Sequence, residues 1–374
     1  MKMKIVVLGL SITSSWGNGH ATTYRGLVRG LAQRGHEIIF LERDATWYAD
    51  NRDYPKSRYC CIGLYDDIDQ LRAVFAEDVR NADVVIVGSY VPEGIAVGQW
   101  VIETARGLTA FYDIDTPVTL ARLERNDCDY LSTELIARYQ LYLSFTGGPT
   151  LQLIENRYRS PMARALYCSV DPKLYFPEQL EKKWALGYLG TYSKDRQPGL
   201  RELMLDAAKR LPKESFIVAG PQYPKAIRWP KNVERITHLP PNLHRAFYNE
   251  QDFTLNITRH DMKQAGYSPS VRLFEAAACG TPIISDYWPG LETLLEPNKE
   301  ILISTCAQDT VRYLTEITPQ TRAAIGARAR ERILAEHTAD HRAAELEEYA
   351  AKLLGKISKR RGAPRLGPAT KGSL

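Results

Sequence analysis

A run of apolar residues opening the chain, Lys4 to Leu10 (KIVVLGL), most limits how this protein folds. An alternating strand can leave one face in water, but this one must be covered on both faces, as strands are in parallel sheets flanked by helices. The residues that follow agree with that demand. A loop with two glycines, SITSSWGNGH, leads into Tyr24, Leu27, Val28 and Leu31 at helical spacing; Gly35 stops the helix and Glu37 to Leu41 begins a second strand. The unit is β-loop-α-β, with a right-handed crossover expected. Similar runs recur at Val84 to Val87, Leu108 to Tyr112 and Leu141 to Phe145, separated by helical patterns. Residues 1–166 therefore read as one doubly wound α/β domain.

Around Ala165 to Phe176 the pattern changes to ALYCSVDPKLYFP, with two prolines and mixed polarity, which marks a crossing between domains. A second alternation then begins. Strands are expected at Ala185 to Gly190, Ser215 to Ala219, Val233 to Ile236, Phe253 to Ile257, Thr281 to Ser285 and Ile301 to Ser304, with helices at Leu200 to Leu211 and Leu243 to Tyr248. Residues 167–339 thus repeat the architecture of the first half without its sequence. A helix over 340–355 carries Leu346, Tyr349, Ala350 and Leu353 on one face, suited to crossing back onto the first domain. Two parallel sheets facing one another make a cleft lined by the carboxyl ends of their strands, where such folds bind ligands.

Charge and cysteine usage narrow the function classes. The chain of 374 residues has a formal net charge of +5, but the tail from Gly355 holds six Lys or Arg and no acid, which leaves the body at −1. The tail over 356–374 reads as disordered, with a weak contact to a membrane surface as its secondary use. A near-neutral body without a reading motif argues against specific nucleic-acid binding. The six cysteines show no metal-ligand spacing and are expected to be reduced. With no apolar run long enough to span a bilayer, and a strand beginning too early for a signal peptide, a cytoplasmic location is expected.

The stretch from Tyr267 to Pro289 (YSPSVRLFEAAACGTPIISDYWP) gathers the most chemistry. Ser268 or Ser270 is placed to cap a helix whose Val271, Phe274 and Ala278 form an apolar stripe, and Gly280 ends it. Arg272 and Glu275 lie on the remaining face. A cation and a carboxylate beside a positively polarised helix end suit a phosphate and a sugar's vicinal hydroxyls. The plain alternative is a helix packed beside a strand with two solvated charges.

E-A-A-A-C-G-T-P-I-I-S, followed by D-Y-W-P-G-L-E and K-E-I-L, resembles the donor-binding element of glycosyltransferases with the two-domain GT-B fold. SPSVRLFEAAACGTPIISD, with NITRHDM before it and ARERILAEHTADHRA after it, is similar to CgeB-type (spore maturation protein) glycosyltransferases. The resemblance covers most of the second half and, more loosely, the first. It implies two Rossmann-like domains and transfer of a sugar, of hexosyl type, from a nucleotide diphosphate donor. A UDP-sugar is favoured, no metal or other cofactor is required, and the acceptor is a glycan, protein or small molecule. Glu275 corresponds to the second glutamate of the family's E-x7-E pattern, which holds the ribose. Tyr267 stands where the first glutamate belongs, so the family's stereochemistry is not inherited, and it is read instead as an acceptor-site residue. Ser268 to Val271 corresponds to the turn that meets the diphosphate, with Arg272 adding charge.

Other candidates follow strands. Gly190, Thr191, Lys194 and Arg196 occupy the place of a diphosphate-binding loop, able to neutralise the leaving group, although such a loop is also common surface chemistry. His238 resembles the segment that edges the nucleobase, and Arg259 points to a phosphate or sugar role. In the first domain, Gly17, Gly19 and His20 form an incomplete dinucleotide fingerprint and, on the GT-B likeness, approach donor and acceptor from the opposite wall. His20, with an ordinary pKa near ~6.5, is placed to exchange protons with a sugar hydroxyl. Asp113 and Asp115 are read as acceptor-site carboxylates, Asp115 as a general base if the reaction inverts, with helix capping as the structural alternative. A nucleotide-sugar epimerase or hydrolase, and a non-catalytic sugar-nucleotide-binding surface-assembly protein, are the rival readings.

Overall fold

The computed structural model describes residues 2–17 and 19–362, with side chains up to residue 355. The first sheet contains β1 (Lys4–Leu8), β2 (Glu37–Arg43), β3 (Cys61–Tyr65), β4 (Val84–Gly88), β5 (Leu108–Asp113), β6 (Leu141–Ser144) and β7 (Ala163–Ala165). Their spatial order is β3-β2-β1-β4-β5-β6-β7, and every neighbouring pair is parallel. The second sheet contains β8 (Trp184–Leu189), β9 (Phe216–Ala219), β10 (Val233–Ile236), β11 (Gln251–Asn256), β12 (Ile283–Ser285) and β13 (Leu302–Ile303). It is also wholly parallel, in the order β10-β9-β8-β11-β12-β13.

The opening strand shows why the run had to be apolar. Ile5 and Val7 pack on one side with Tyr24, Leu27, Val28 and Leu31 of the Gly19–Gln33 helix, while Val6 and Leu8 join Val85, Val87 and Phe111 on the other. Burying each such side chain contributes ~1.5–3 kcal/mol, so exposing either face is costly. β3 and β7 carry no comparable run. β3 is an edge strand with a mostly uncovered pattern, and β7 has only three residues, so neither needs an unbroken apolar sequence.

The chain crosses between the sheets twice. Val170 in the linker pairs with Thr338, through Val170 N to the His337 carbonyl at 3.2 Å and Ala339 N to the Val170 carbonyl at 3.0 Å. From there the Ala339–Gly362 helix runs back over the first domain, where Ala343, Leu346 and Ala350 join the core with Tyr24 and Leu31. This helix continues past residue 355, where the disordered tail was expected to begin. The rest of that basic tail, residues 363–374, and the membrane contact drawn for it lie outside the described residues. Among the described residues no helix is long and apolar enough to cross a membrane.

In each sheet the strand order reverses at one place, between β1 and β4 and between β8 and β11. The loops leaving the carboxyl ends of these strands diverge there and leave a crevice, which fixes where a ligand is met.

Candidate functional site

On the second-domain wall, the Val271–Ala278 helix begins after Ser270, whose backbone is extended. Neither serine caps it, contrary to the sequence expectation. The Ser270 hydroxyl donates to Asn256 Oδ1 at 2.8 Å, and buried Ser268 accepts from Thr146 Oγ1 of the first domain at 2.9 Å. Both side chains are drawn to stronger fixed partners at strand ends, so no side chain satisfies the first-turn N–H groups. Those groups carry the positive end of the helix dipole.

Arg272 and Glu275 are not the solvated pair of the plain alternative: they are 6% and 5% exposed. Arg272 donates from Nε to the Leu189 carbonyl at 2.8 Å and from Nη1 to Asn256 Oδ1 at 2.7 Å, with its guanidinium 4.8 Å from the Tyr188 ring centre. It thereby holds the end of β8 against β11. Glu275 Oε2 accepts from the Tyr248 hydroxyl at 3.0 Å and lies 3.9 Å from His244 Nδ1.

The loop after β8 is pressed against the loop after β9. Gly220, with φ +145°, comes so close to Gly190 that a Cβ there would lie 2.0 Å from the Gly190 carbonyl oxygen. Arg196 Nη2 donates to the Thr191 carbonyl at 2.7 Å, and burial pushes its pKa down. Lys194 is exposed, and Asp195 accepts from His260 N at 3.0 Å. His238, exposed at the end of β10, packs its ring at 4.3 Å against Trp16 of the first domain.

On the first-domain wall, the loop that leaves β1 is moored, over residues 11–13, by one buried carboxylate. Glu42 accepts from Ser11 Oγ at 2.9 Å, Ile12 N at 2.6 Å, Thr13 N at 3.0 Å and Thr13 Oγ1 at 2.6 Å. Gly17, at φ +62°, and Gly19 have open space where a Cβ would stand. His20 is half-buried, edge-on to Tyr90 at 5.4 Å between ring centres, and burial pushes its pKa down to about 4. At pH 7 its imidazole is therefore neutral, not the evenly poised group of an ordinary histidine.

Tyr90 in turn donates its hydroxyl to Asp115 Oδ2 at 3.1 Å, and Arg259 of the second domain reaches the same oxygen at 3.5 Å. Asp115 precedes the Thr116–Glu124 helix but makes no side-chain cap, and burial raises its pKa. His20, Tyr90, Asp115 and Arg259 therefore form a chain of contacts spanning both walls.

Asp113 does not belong to it. Fully buried, it accepts from Tyr142 at 2.5 Å and Thr119 Oγ1 at 2.7 Å, so the acceptor contact expected of it is sterically closed. Asp113 is the last residue of β5 and points into the core, whereas the turn that follows the strand carries Asp115 to the cleft. Tyr267 also has a different place from that expected of an acceptor contact. With φ +46°, its ring is wedged between Gly148 and Gly290, and its carbonyl accepts from Gly147 N at 2.9 Å, bracing the domains together.

Sequence reasoning missed Trp16, Tyr90, Glu42 and Asn256. Glu42 had a signal, a carboxylate directly after the apolar run Ile38 to Leu41, whereas Tyr90 acquires its role only when β4 and β5 lie side by side. Among the described residues no three His, Cys, Asp or Glu side chains group to hold a metal ion.

Comparison with known proteins agrees with this architecture. Residues 196–348 match a family described as "Glycosyl transferase-like". Solved structures align over nearly the whole chain. Sucrose-phosphate synthase from Thermosynechococcus elongatus is 14% identical with a TM-score of 0.67, covering 95% of this chain and 100% of that one. Anabaena Alr3699/HepE in complex with UDP and glucose is 14% identical, with a TM-score of 0.68 over 94% of this chain and 100% of that one. An alpha-glucosyltransferase in complex with UDP-glucose and DNA is 12% identical, with a TM-score of 0.71 over 94% and 100%. No curated protein sequence matches the chain. The fold is the GT-B arrangement of two facing Rossmann-like domains.

Proposed function

We propose that this GT-B protein is a glycosyltransferase, of the CgeB-like type, that moves a sugar from a nucleotide diphosphate held by the second domain to an acceptor at the first-domain wall. The observation that carries the reading is the match of residues 196–348 to the glycosyl transferase-like family, because Arg259, Ser270, Arg272 and Glu275 all fall inside it, with Ser270 and Arg272 fastened to the carboxyl ends of β11 and β8. A UDP-sugar is the donor this reading favours, since UDP and UDP-glucose occupy solved proteins of the same fold.

The chemistry follows from the layout. Uncapped N–H groups of the Val271–Ala278 helix, with Lys194 and Arg196, face the leaving diphosphate and stabilise the charge that develops there. Glu275 receives the ribose hydroxyls. Arg272 acts by positioning the Leu189–Gly190 turn. In the inverting form of the reaction, the acceptor hydroxyl gives its proton to Asp115 as its oxygen bonds to the anomeric carbon. The bond from that carbon to the diphosphate breaks, and its electron pair leaves with the diphosphate. The raised pKa of Asp115 suits it to that work.

Mass analysis of products from UDP-glucose, with and without a panel of acceptors, tests this. UDP release with the sugar found on an acceptor supports transfer. Acceptor-independent release of free sugar indicates a hydrolase, an isomerised sugar still on UDP an epimerase, and no turnover of any nucleotide sugar contradicts the reading.

A further inference from the structure

On the linker side of the molecule the two domains enclose a cavity of about 780 Å³ that none of the candidate-site residues described above lines. Its walls are the outer face of the Gly19–Gln33 helix, the loop after β2, the linker and the start of the Pro241–Asn249 helix. Six cations face it against two carboxylates. Three are neutralised where they stand. Arg25 forks onto Asp53 at 2.7 and 3.1 Å, Arg29 pairs with Asp171, and Arg245 pairs with Glu178 at 2.9 Å.

The other three, Lys56, Arg58 and Lys173, have no carboxylate within 4.0 Å among the described residues. Asp53 cannot serve them. Burial raises its pKa, but hydrogen bonds from Arg25 and Ser15 outweigh this and hold it at about 2, so both its oxygens are already committed. Arg58 is fixed in place, with Nη2 2.6 Å from the Tyr59 hydroxyl and its guanidinium over that ring at 4.8 Å.

Much of the remaining lining is apolar: Tyr54, Val170, Tyr175 and Leu174, the last 56% exposed. Three uncompensated cations in one concavity repel one another and favour a bound anion, while the uncovered leucine and the aromatic rings favour an apolar body attached to it. The volume falls within the range of small-molecule sites, ~300–1,000 Å³. A guanidinium and two ammonium groups supply donors enough for the three oxygens of a phosphomonoester.

We propose that this cavity is a second ligand site, separate from the nucleotide-sugar cleft, for a phosphomonoester carried on an apolar or aromatic body. Lys56 and Arg58 come from the first domain and Lys173 from the linker, so the bound anion ties the two together.

The probe is 1-naphthyl phosphate, with neutral 1-naphthol as its partner, titrated calorimetrically into the full chain. Saturable binding of the phosphate but not of naphthol is expected, weakening with added salt. Lys56→Ala combined with Arg58→Ala, and separately Lys173→Ala, should each weaken it by about tenfold or more. All three side chains are exposed, so the variants should fold, and melting temperature checks this. Excess UDP-glucose should not displace the probe. No binding, equal binding of naphthol, full retention in the charge variants, or displacement by UDP-glucose would each overturn the proposal.

Discussion

The two walls of the cleft are put together differently. On the second-domain wall Arg272 and Glu275 stand on one short helix with Ser270 just before it, and two of the three are fastened to Asn256 at the end of β11. On the first-domain wall His20, Tyr90 and Asp115 come from the exits of β1, β4 and β5, and meet only because the sheet sets those strands side by side. One wall is a local device held rigidly before any ligand arrives; the other is an assembly whose geometry depends on loops. Local devices tolerate change in the rest of the fold, whereas an assembled site fails when any one of its supports moves.

The largest expected effect falls on the assembled wall. Asp115→Asn should lower kcat by ~10²–10⁴, the range for losing a general base, with the KM for the donor little changed. An equal loss in donor affinity would move Asp115 to the other wall. Next comes the mooring of the first loop. Glu42→Ala leaves the buried donors of Ile12 and Thr13 unpaired and should reduce unfolding free energy by ~3 kcal/mol in urea titration. Activity should fall further than donor binding. If both stay intact, the loop does not depend on Glu42.

A smaller effect is expected where the walls meet. Gly290→Ala places a Cβ 2.4 Å from the Tyr267 ring at φ +91° and should cost ~1–3 kcal/mol, read from the melting temperature. Combining it with Tyr267→Ala should recover the steric part of that loss. The last effect concerns protons and vanishes at neutral pH. The pKa of His20 is depressed from 6.5 to about 4, so the stability of its neutral form is fully present above pH 6.5 and is lost as pH falls through about 4. Relative to His20→Gln, the wild-type melting temperature should hold constant above pH 6.5 and decline below it. A decline beginning above pH 7 would mean that the imidazole is not desolvated.

The same contrast explains what could be read in the sequence. Continuous apolar runs gave away the buried strands, and the second-domain helix was legible because its cation, carboxylate and start signal lie within a few residues. Two errors came from that very locality. Ser268 and Ser270 looked like caps, but Thr146 and Asn256, distant in the chain, supplied competing partners. Asp113 looked equivalent to Asp115 until the turn after β5 carried Asp115 to the cleft and left Asp113 in the core. Tyr90 carries no motif, and its contact with Asp115 exists only once strands β4 and β5 are paired.

The central claim is that the second-domain wall binds a nucleotide diphosphate sugar through Glu275 and the uncapped helix. Calorimetric titration of UDP-glucose into the wild type and Glu275→Ala tests it most directly, with the same titration repeated for GDP-, dTDP- and ADP-sugars. The account predicts saturable binding of at least one donor, weakened by ~2 kcal/mol, roughly 30-fold, in the variant. Equal affinity in the two proteins, or no binding of any donor to the wild type, would contradict it.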